Sequence, residues 1–309
     1  MGITMSQHSP KVSIGMPVYN GENYLEEALG CLLAQTFEDF ELIISDNAST
    51  DRTRQITLEY AQKDPRIVYK QNKTNIGASH NHNRVFSYAR GQYFKWAGHD
   101  DRHEPTYLER CVETLDQHSD VVLCYPWTIV IDESGAVAQY YKDGLELLSE
   151  HPHQRYRLIL DHSPHKMLNP ALGLIRTDIL RLNQLEGPYF ASDRVVLAEL
   201  ALYGKFFEVP EYLFHRRLHP GNSTTANPTG KAMAIWSDPL ARGRMAIPRW
   251  QRMIGNLNAI RRTRMKWKAK ILCYSEFFNF YFSLKRFGGL KTELQEITKG
   301  FGKEKGTHE

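Results

Sequence analysis

Apolar and polar positions alternate in blocks along the first 130 residues. Val12-Ser13-Ile14-Gly15-Met16 is a short apolar run ended by Pro17, and it reads as a buried strand. Tyr24, Leu25, Ala28, Leu29, Leu32 and Leu33 then recur at helical spacing, which predicts a helix over about 23–35. FELIIS (40–45) is a second strand. Ser49-Thr50-Asp51 opens a helix that runs to about Lys63, and RIVYK (66–70) is a third strand. A helix over 78–89 leads to a fourth strand, QYFKWA (92–97), which runs directly into the charged turn Gly98-His99-Asp100-Asp101. Pro105 is placed at the first position of the next helix, where a missing N–H costs nothing. Residues 121–125 are a fifth strand.

Strands alternating with helices at this spacing predict βαβ units and an α/β fold with a mostly parallel central sheet. In such sheets a ligand sits beyond the carboxyl ends of the strands. The polar clusters fall there: Tyr19-Asn20 after the first strand, Asp46-Asn47 after the second, residues 72–77 after the third and His99-Asp100-Asp101 after the fourth.

Composition adds limits. The chain has 309 residues, 41% hydrophobic and 24% charged, enough to bury a sizeable core and unlike a disordered segment. No run reaches the roughly 18 apolar residues of a membrane-spanning helix, and the N-terminal segment shows no apolar signal core. Met1-Gly2 with Ser6 has the spacing of a myristoylation signal but no second lipid signal, so it makes no such case. Cys31, Cys111, Cys124 and Cys273 are scattered without zinc spacing and read as apolar thiols of a reducing compartment. The expected location is the cytoplasm, including the inner face of a membrane. The net charge of +4 hides a split. From Leu240 onward sixteen Lys/Arg face five Asp/Glu, a net +11, so the stretch to Pro239 carries −7. Two parts of opposite sign suggest two kinds of partner.

Asp100 and Asp101 head the candidate chemistry. A carboxylate pair on a tight turn can hold Mg²⁺ or Mn²⁺, with substrate phosphate completing the shell; capping the next helix is the ordinary alternative. Asp46 can accept from a base N–H or a ribose hydroxyl, with Ser49 or Thr50 left to cap the following helix. Gly77 with Arg84 suggests close backbone approach and a cation for a phosphate, although a lone helix arginine is usually just solvated.

Four segments in order, PVYNGENYLEEAL from Pro17, QTFEDFELIISDNASTD from Gln35, NIGASHNHNR from Asn75 and the Asp-Asp turn followed by Pro105 and Leu108, resemble glycosyltransferase family 2 of the GT-A fold over roughly residues 11–130. The resemblance implies a nucleotide-binding loop at Pro17, Val18, Tyr19 and Glu22, base reading by Asp46, and a diphosphate-side segment with Gly77 and Arg84. It aligns the family's DxD element with Gly98-His99-Asp100. Gly98 then replaces the first acid, His99 lies near the ribose, and Asp100 is the metal-binding acid. GPYFASD (187–193) before an apolar helix resembles the segment that carries the family's catalytic base, here Asp193, with helix capping as the structural alternative. EYLFHRRLHPGNST from Glu211 resembles its basic stretch, so that His219 approaches the metal or the diphosphate, against the alternative of a surface-loop histidine. The implied activity is a metal-dependent, inverting transfer of a sugar from a nucleotide-sugar donor, with uridine diphosphate as default carrier, to a hydroxyl of a glycan or lipid-linked acceptor. Two rival readings remain at this point. One is a non-catalytic nucleotide-sugar-binding scaffold, which the Gly98 replacement keeps open. The other is a metal-dependent hydrolase built on His80, His82, His99, Asp100, Asp101 and His103.

The implied layout is a catalytic domain over 1–239, with its donor half at about 11–130 and its acceptor half at 131–239. A basic, aromatic-rich helical extension follows over 240–309. In the extension RRTRMKWKAK from Arg261 adjoins Phe277, Phe278, Tyr281 and Phe282. Such a stretch packs on the body, forms a homodimer contact or lies on an anionic membrane surface. With no nucleic-acid module before it, nucleic acid is not an expected partner.

Overall fold

The computed structural model describes residues 9–145, 147–162, 167–227, 229–242, 247–283, 286 and 288–293. The Met1-Gly2-Ser6 segment and the basic residues past 293 lie outside them. The elements run β1 (Val12–Val18), α1 (Leu25–Leu33), β2 (Phe40–Asp46), α2 (Thr53–Lys63), β3 (Ile67–Gln71), α3 (Ala78–Ser87), β4 (Tyr93–Trp96), β5 (Arg102–His103) and α4 (Tyr107–Gln117). They continue with β6 (Val121–Ile131), β7 (Val137–Tyr141), α5 (Pro152–Asp161), β8 (Leu174–Arg176), α6 (Thr177–Leu180), α7 (Asp193–Tyr203) and β9 (Lys205–Arg217). Last come α8 (Ser223–Ala226), α9 (Gly230–Ser237), α10 (Pro248–Arg262) and α11 (Trp267–Tyr281).

One sheet of order β3-β2-β1-β4-β8-β6-β9-β5, with β7 on β6, organises the molecule. The first four strands are mutually parallel, as the βαβ spacing predicts. The register sets Val18 opposite Asp46 and Asp46 opposite Gln71, so these strands end at one level. Beyond β4 the sheet becomes mixed, with β8 antiparallel to both β4 and β6 while β9 runs parallel to β6. Most paired residues remain in parallel ladders.

Alternating side chains feed two buried clusters. Val12, Ile14 and Met16 join Leu25, Leu29, Leu108 and Cys111 of α1 and α4. On the other side Val85, Phe94, Tyr156, Leu197 and Leu200 of α3, β4, α5 and α7 pack together. Covering both sides explains why the strands read as continuous apolar runs rather than as a simple alternation.

The C-terminal helices belong to the second cluster. Ala259, Ile260, Cys273, Phe277 and Tyr281 are buried in it with the side chains of α5 and α7. The buried Glu199 carboxylate of α7 accepts Arg262 Nη2 at 2.6 and 2.7 Å. The described helices α10 and α11 are therefore packed against the body along one side. Trp267, Ile271, Phe278 and Phe282 stay exposed. No helix among the described residues is long and apolar enough to cross a membrane.

Local structure departs from the sequence reading at two helix starts. Helix α2 takes its terminal acceptors from Asp51, whose Oδ1 accepts the Thr53 N–H at 3.0 Å, and from Glu22, whose Oε2 accepts the Arg52 N–H at 3.0 Å. Ser49 instead accepts the Asn20 N–H, because Asn20 takes a left-handed turn (φ 52°) that points its backbone there. Helix α4 begins at Tyr107, so Pro105 precedes it and lends its carbonyl to Thr36 N.

Candidate active site

The strand ends open onto a single cleft of about 1850 Å³. Pro17, Val18 and Tyr19 at the end of β1 line it, as do His99, Asp100, Asp193 and His219. Residues from the ends of β1, β4 and β9 and from the start of α7 thus line one cleft, although Pro17 and His219 are 202 positions apart in sequence.

The acid turn is held from three directions. Asp100 Oδ2 accepts His219 Nε2 at 3.0 Å and Asn222 Nδ2 at 3.1 Å. Asp101 Oδ1 accepts the Arg217 backbone N–H at 3.0 Å, so it caps no helix. Arg217 is itself buried, donating from Nε to the Asp100 carbonyl at 2.9 Å and from Nη1 to the Glu133 carbonyl at 3.0 Å; Nη2 bonds to Glu27. Its guanidinium lies 4.6 Å from the Tyr24 ring centre. This arginine ties β9, the acid turn and α1 together. Sequence reading named only His219 in the HRRLHPG stretch; an arginine closing a strand next to the candidate ligand was the available signal.

Burial opposes charge on Asp100, but His99 and His219 outweigh it and hold the carboxyl below its usual range. Asp101 goes the other way, pushed up first by burial and then by the Asp100 charge. Burial also lowers His99. Two neighbouring acids with opposite shifts make one firm anion and one that resists ionisation.

Gly98 explains itself geometrically. A Cβ there would lie 2.6 Å from Asp101 Oδ2 and 2.7 Å from Asp100 Oδ1. Both carboxylates are pinned by the bonds above, so the space that a side chain at 98 needs is already filled by the two acids.

Asp193, the first residue of α7, lines the same cleft. Ser192 holds the cap position without a side-chain cap bond, and Asp193 Oδ1 accepts the adjacent Arg194 N–H at 2.9 Å. Burial raises the Asp193 carboxyl, and the charge of nearby Glu186 adds to the rise. Glu186 Oε1 is 2.9 Å from His82 Nδ1, and Asn83 bonds the Glu186 backbone on both sides. Burial opposes protonation of His82, but Glu186 and Asp193 together lift it above its ordinary value. Neither Glu186 nor His82 stood among the site residues expected from sequence. His82 enters from sequence only through the histidine cluster of the hydrolase reading, and Glu186 directly precedes the Gly187-Pro188 segment.

Four expected residues are not brought to the cleft surface. Glu22 is exposed and caps α2. Asp46 is fully buried, its oxygens accepting Ser49 N at 2.8 Å, Tyr69 Oη at 2.7 Å and Gln71 Nε2 at 3.2 Å. Gly77 does need its left-handed backbone (φ 87°), yet a Cβ would strike the Ser237 carbonyl oxygen at 2.4 Å, so the close approach is to the chain's own last residue of α9. Arg84 is exposed on the last turn of α3 and does not line the cleft.

The clustered histidines disperse. His82 goes to Glu186, His99 covers Gly21 and His103 meets Lys95 at 2.8 Å beneath the sheet end. Among the described residues no three His, Cys, Asp or Glu side chains converge as a metal cluster. A hydrolase centre built on those residues has no geometric basis here.

The sequence profile of glycosyl transferase family 2 matches residues 13–181, more than half of the chain. The chain belongs to glycosyltransferase family 2. An uncharacterized glycosyltransferase of Rickettsia typhi is 30% identical over 245 residues, covering 74% of the transferase and 71% of that protein. One of Methanocaldococcus jannaschii is 34% identical over 135 residues, covering 43% of this chain; the transferase spans about half (47%) of that relative's length. The GT-A fold expected from sequence is found in solved structures. S. aureus TarS 1-349 in complex with UDP superposes with TM-score 0.63 at 20% identity, over 90% of the transferase and 74% of that chain. A mannosyltransferase of Pyrobaculum calidifontis, in complex with GDP-Man and Mn²⁺, gives TM-score 0.51 at 14% identity over 94% and 86%.

Proposed function

We propose that this glycosyltransferase moves a sugar from a uridine diphosphate donor to a hydroxyl of a glycan or lipid-linked acceptor by a single inverting displacement, with Asp193 as general base. The observation that carries the reading is one cleft lined both by Asp100 with His219 and by Asp193 with Glu186. The UDP complex of the similarly folded TarS supports the choice of carrier.

The donor end fits a divalent cation. A carboxylate kept ionised and an imidazole nitrogen, 3.0 Å apart and facing the cleft, match the oxygen and nitrogen preference of Mn²⁺, or of Mg²⁺ through the acid, with donor phosphates completing the shell. Asp100 and His219 would hold it, and its chemistry there is neutralisation of the leaving diphosphate. The Mn²⁺ complex of the mannosyltransferase agrees with this use. Asn222 and Arg217 orient Asp100, while Pro17, Val18 and Tyr19 border the base and ribose side. Asp46, Gly77, His99, Glu22 and Arg84 remain the residues that the family resemblance assigns to the nucleotide. In this structure Asp46 would act from below Tyr69 and Gln71, and Glu22 through the turn that it caps.

Asp193 takes the proton of the acceptor hydroxyl while that oxygen attacks the anomeric carbon opposite the nucleotide. A carboxyl raised by burial and by Glu186 is a stronger base than an exposed one, which suits it to that proton. The exposed stripe of α11 is the surface by which the protein meets a membrane or a second copy, in keeping with a lipid-linked acceptor. Transfer should fall about 10²- to 10⁴-fold in Asp193→Asn with UDP binding retained, and Asp100→Ala should remove the metal-dependent part of UDP binding. Wild-type transfer by Asp193→Asn would refute the base assignment.

A further inference from the structure

His82 and Glu186 reach the cleft from α3 and from the loop before α7. Their bond, His82 Nδ1 to Glu186 Oε1 at 2.9 Å, uses one ring nitrogen and one carboxylate oxygen. Among the described residues neither His82 Nε2 nor Glu186 Oε2 has a hydrogen-bond partner, and neither atom is closed off from solvent. Both side chains are partly exposed. Glu186 Oε2 can only accept while the carboxylate is ionised. His82 Nε2 donates when the ring is protonated, which the Glu186 and Asp193 charges favour. A hydroxyl both donates and accepts, so it fits Nε2 in either protonation state.

The pair is held firmly. Asn83 Nδ2 donates to the Glu186 carbonyl at 2.8 Å, and Asn83 Oδ1 accepts the Glu186 N–H at 3.0 Å. Leu185 stands in the left-handed region (φ 60°), which a leucine adopts only at a cost, and Asn183 Oδ1 accepts its N–H at 2.8 Å. Backbone strain that surrounding bonds maintain beside a cleft residue is a mark of a binding site. The His82 carbonyl accepts Trp96 Nε1 at 3.1 Å. Trp96 ends β4, four residues before Asp100. His82 is thus anchored to the strand that leads to the metal-binding acid, while the Glu186 charge acts on Asp193.

A carboxylate repels the donor diphosphate, so the part of the donor that meets this pair is uncharged. In an in-line displacement the sugar ring lies between the leaving oxygen, which Asp100 and His219 serve, and the hydroxyl that Asp193 deprotonates. We propose that His82 and Glu186 form the subsite that reads hydroxyl groups of the transferred sugar, Glu186 Oε2 accepting from one hydroxyl and His82 Nε2 bonding another. This rests on the nucleotide-sugar reading of the cleft and adds to it the pair that selects the sugar.

The test is calorimetry on the full chain with Mn²⁺ present. The probes are UDP beside UDP-glucose, UDP-galactose and UDP-N-acetylglucosamine, and GDP beside GDP-mannose. For the nucleotide sugar that the wild type binds most tightly, Glu186→Gln and His82→Phe should each raise Kd about tenfold or more. The Kd of the bare nucleotide should stay within about twofold. Glu59→Gln, which alters an exposed carboxylate of α2 off the cleft, should change neither. Melting curves check folding, and His82→Phe carries the test if Glu186→Gln is unstable. Unchanged nucleotide-sugar binding in His82→Phe and in any folded Glu186→Gln overturns the proposal, as does an equal loss for the bare nucleotide. Either result leaves the donor reading standing, because the wild type still binds its nucleotide sugar. A wild type that binds no nucleotide sugar strikes the donor reading and this proposal with it.

Discussion

Restoring the acid that the family pattern calls for should harm this protein. Gly98→Asp places a side chain where a Cβ already comes within 2.6 and 2.7 Å of two carboxylate oxygens. Neither acid can swing away freely. Asp100 would have to loosen its bonds to His219 and Asn222, and Asp101 its bond to the Arg217 N–H. Forcing one methyl into such a site costs on the order of 1–3 kcal/mol, which is the expected loss for Gly98→Ala. Aspartate adds a third carboxylate. At an effective dielectric constant near 20 and about 4 Å separation, each charge pair costs up to roughly 4 kcal/mol, and the new group lowers that cost by keeping its proton. An acid whose folded pKa is raised destabilises as pH rises, because the unfolded chain gives up the proton first. The deficit of Gly98→Asp relative to wild type should therefore widen between pH 5 and pH 8. At roughly 2 °C per kcal/mol for a chain of this size, melting should drop by about 2–6 °C in Gly98→Ala and further in Gly98→Asp at pH 8. Scanning calorimetry at both pH values with a chelator present measures this. Gly98→Asp melting at or above wild type at pH 8 would show that the packing argument is wrong.

Glu186→Gln should move the acidic limb of the kcat/KM–pH profile to lower pH, because the Glu186 charge helps to raise Asp193; an unmoved limb breaks that link. Lys95 is fully buried and pushed down to about 7, chiefly by burial. The unfolded lysine holds its proton up to about 10.4, so stability should rise between about pH 7 and 10. Lys95→Met should flatten that rise in urea titrations, and an equal slope in both proteins would contradict it. For the exposed stripe of α11, the wild type should float with anionic vesicles or dimerise in sedimentation, and Ile271→Ser/Phe278→Ser should do neither. Wild type that neither floats nor dimerises removes both uses of the stripe. Deleting everything after Pro239 is a poor substitute for that variant, since it would uncover the core that Ala259, Ile260 and Phe277 fill.

Much of the stretch up to about residue 130 was legible from sequence because its interactions are local. A parallel strand buried on both sides announces itself as an apolar run, as β1 and β2 do, and each ladder places the next polar turn at the same level. The stretch from about 131 to 239 was less legible. Strand β9 carries charges and Pro210 through an irregular burial pattern, so no clean period marks it, yet it delivers Arg217 and leads to His219. Asp46 is buried and hydrogen-bonded, and Gly77 takes a positive φ. Whether their demands come from a ligand or from Tyr69, Gln71 and Ser237 is a question of distance in space.

The sequence by itself determined the family, the order of the first strands and helices, and the acid turn, because these follow from periodicity and from short motifs. Only the tertiary structure decided that Gly98 is filled by its own neighbours, that Glu186 and His82 stand beside Asp193, and that α10 and α11 pack with α5 and α7. The physical reason is the same in each case. Packing and electrostatics act between groups that the fold brings within a few ångströms, and charge summed along a chain carries no record of which groups those are.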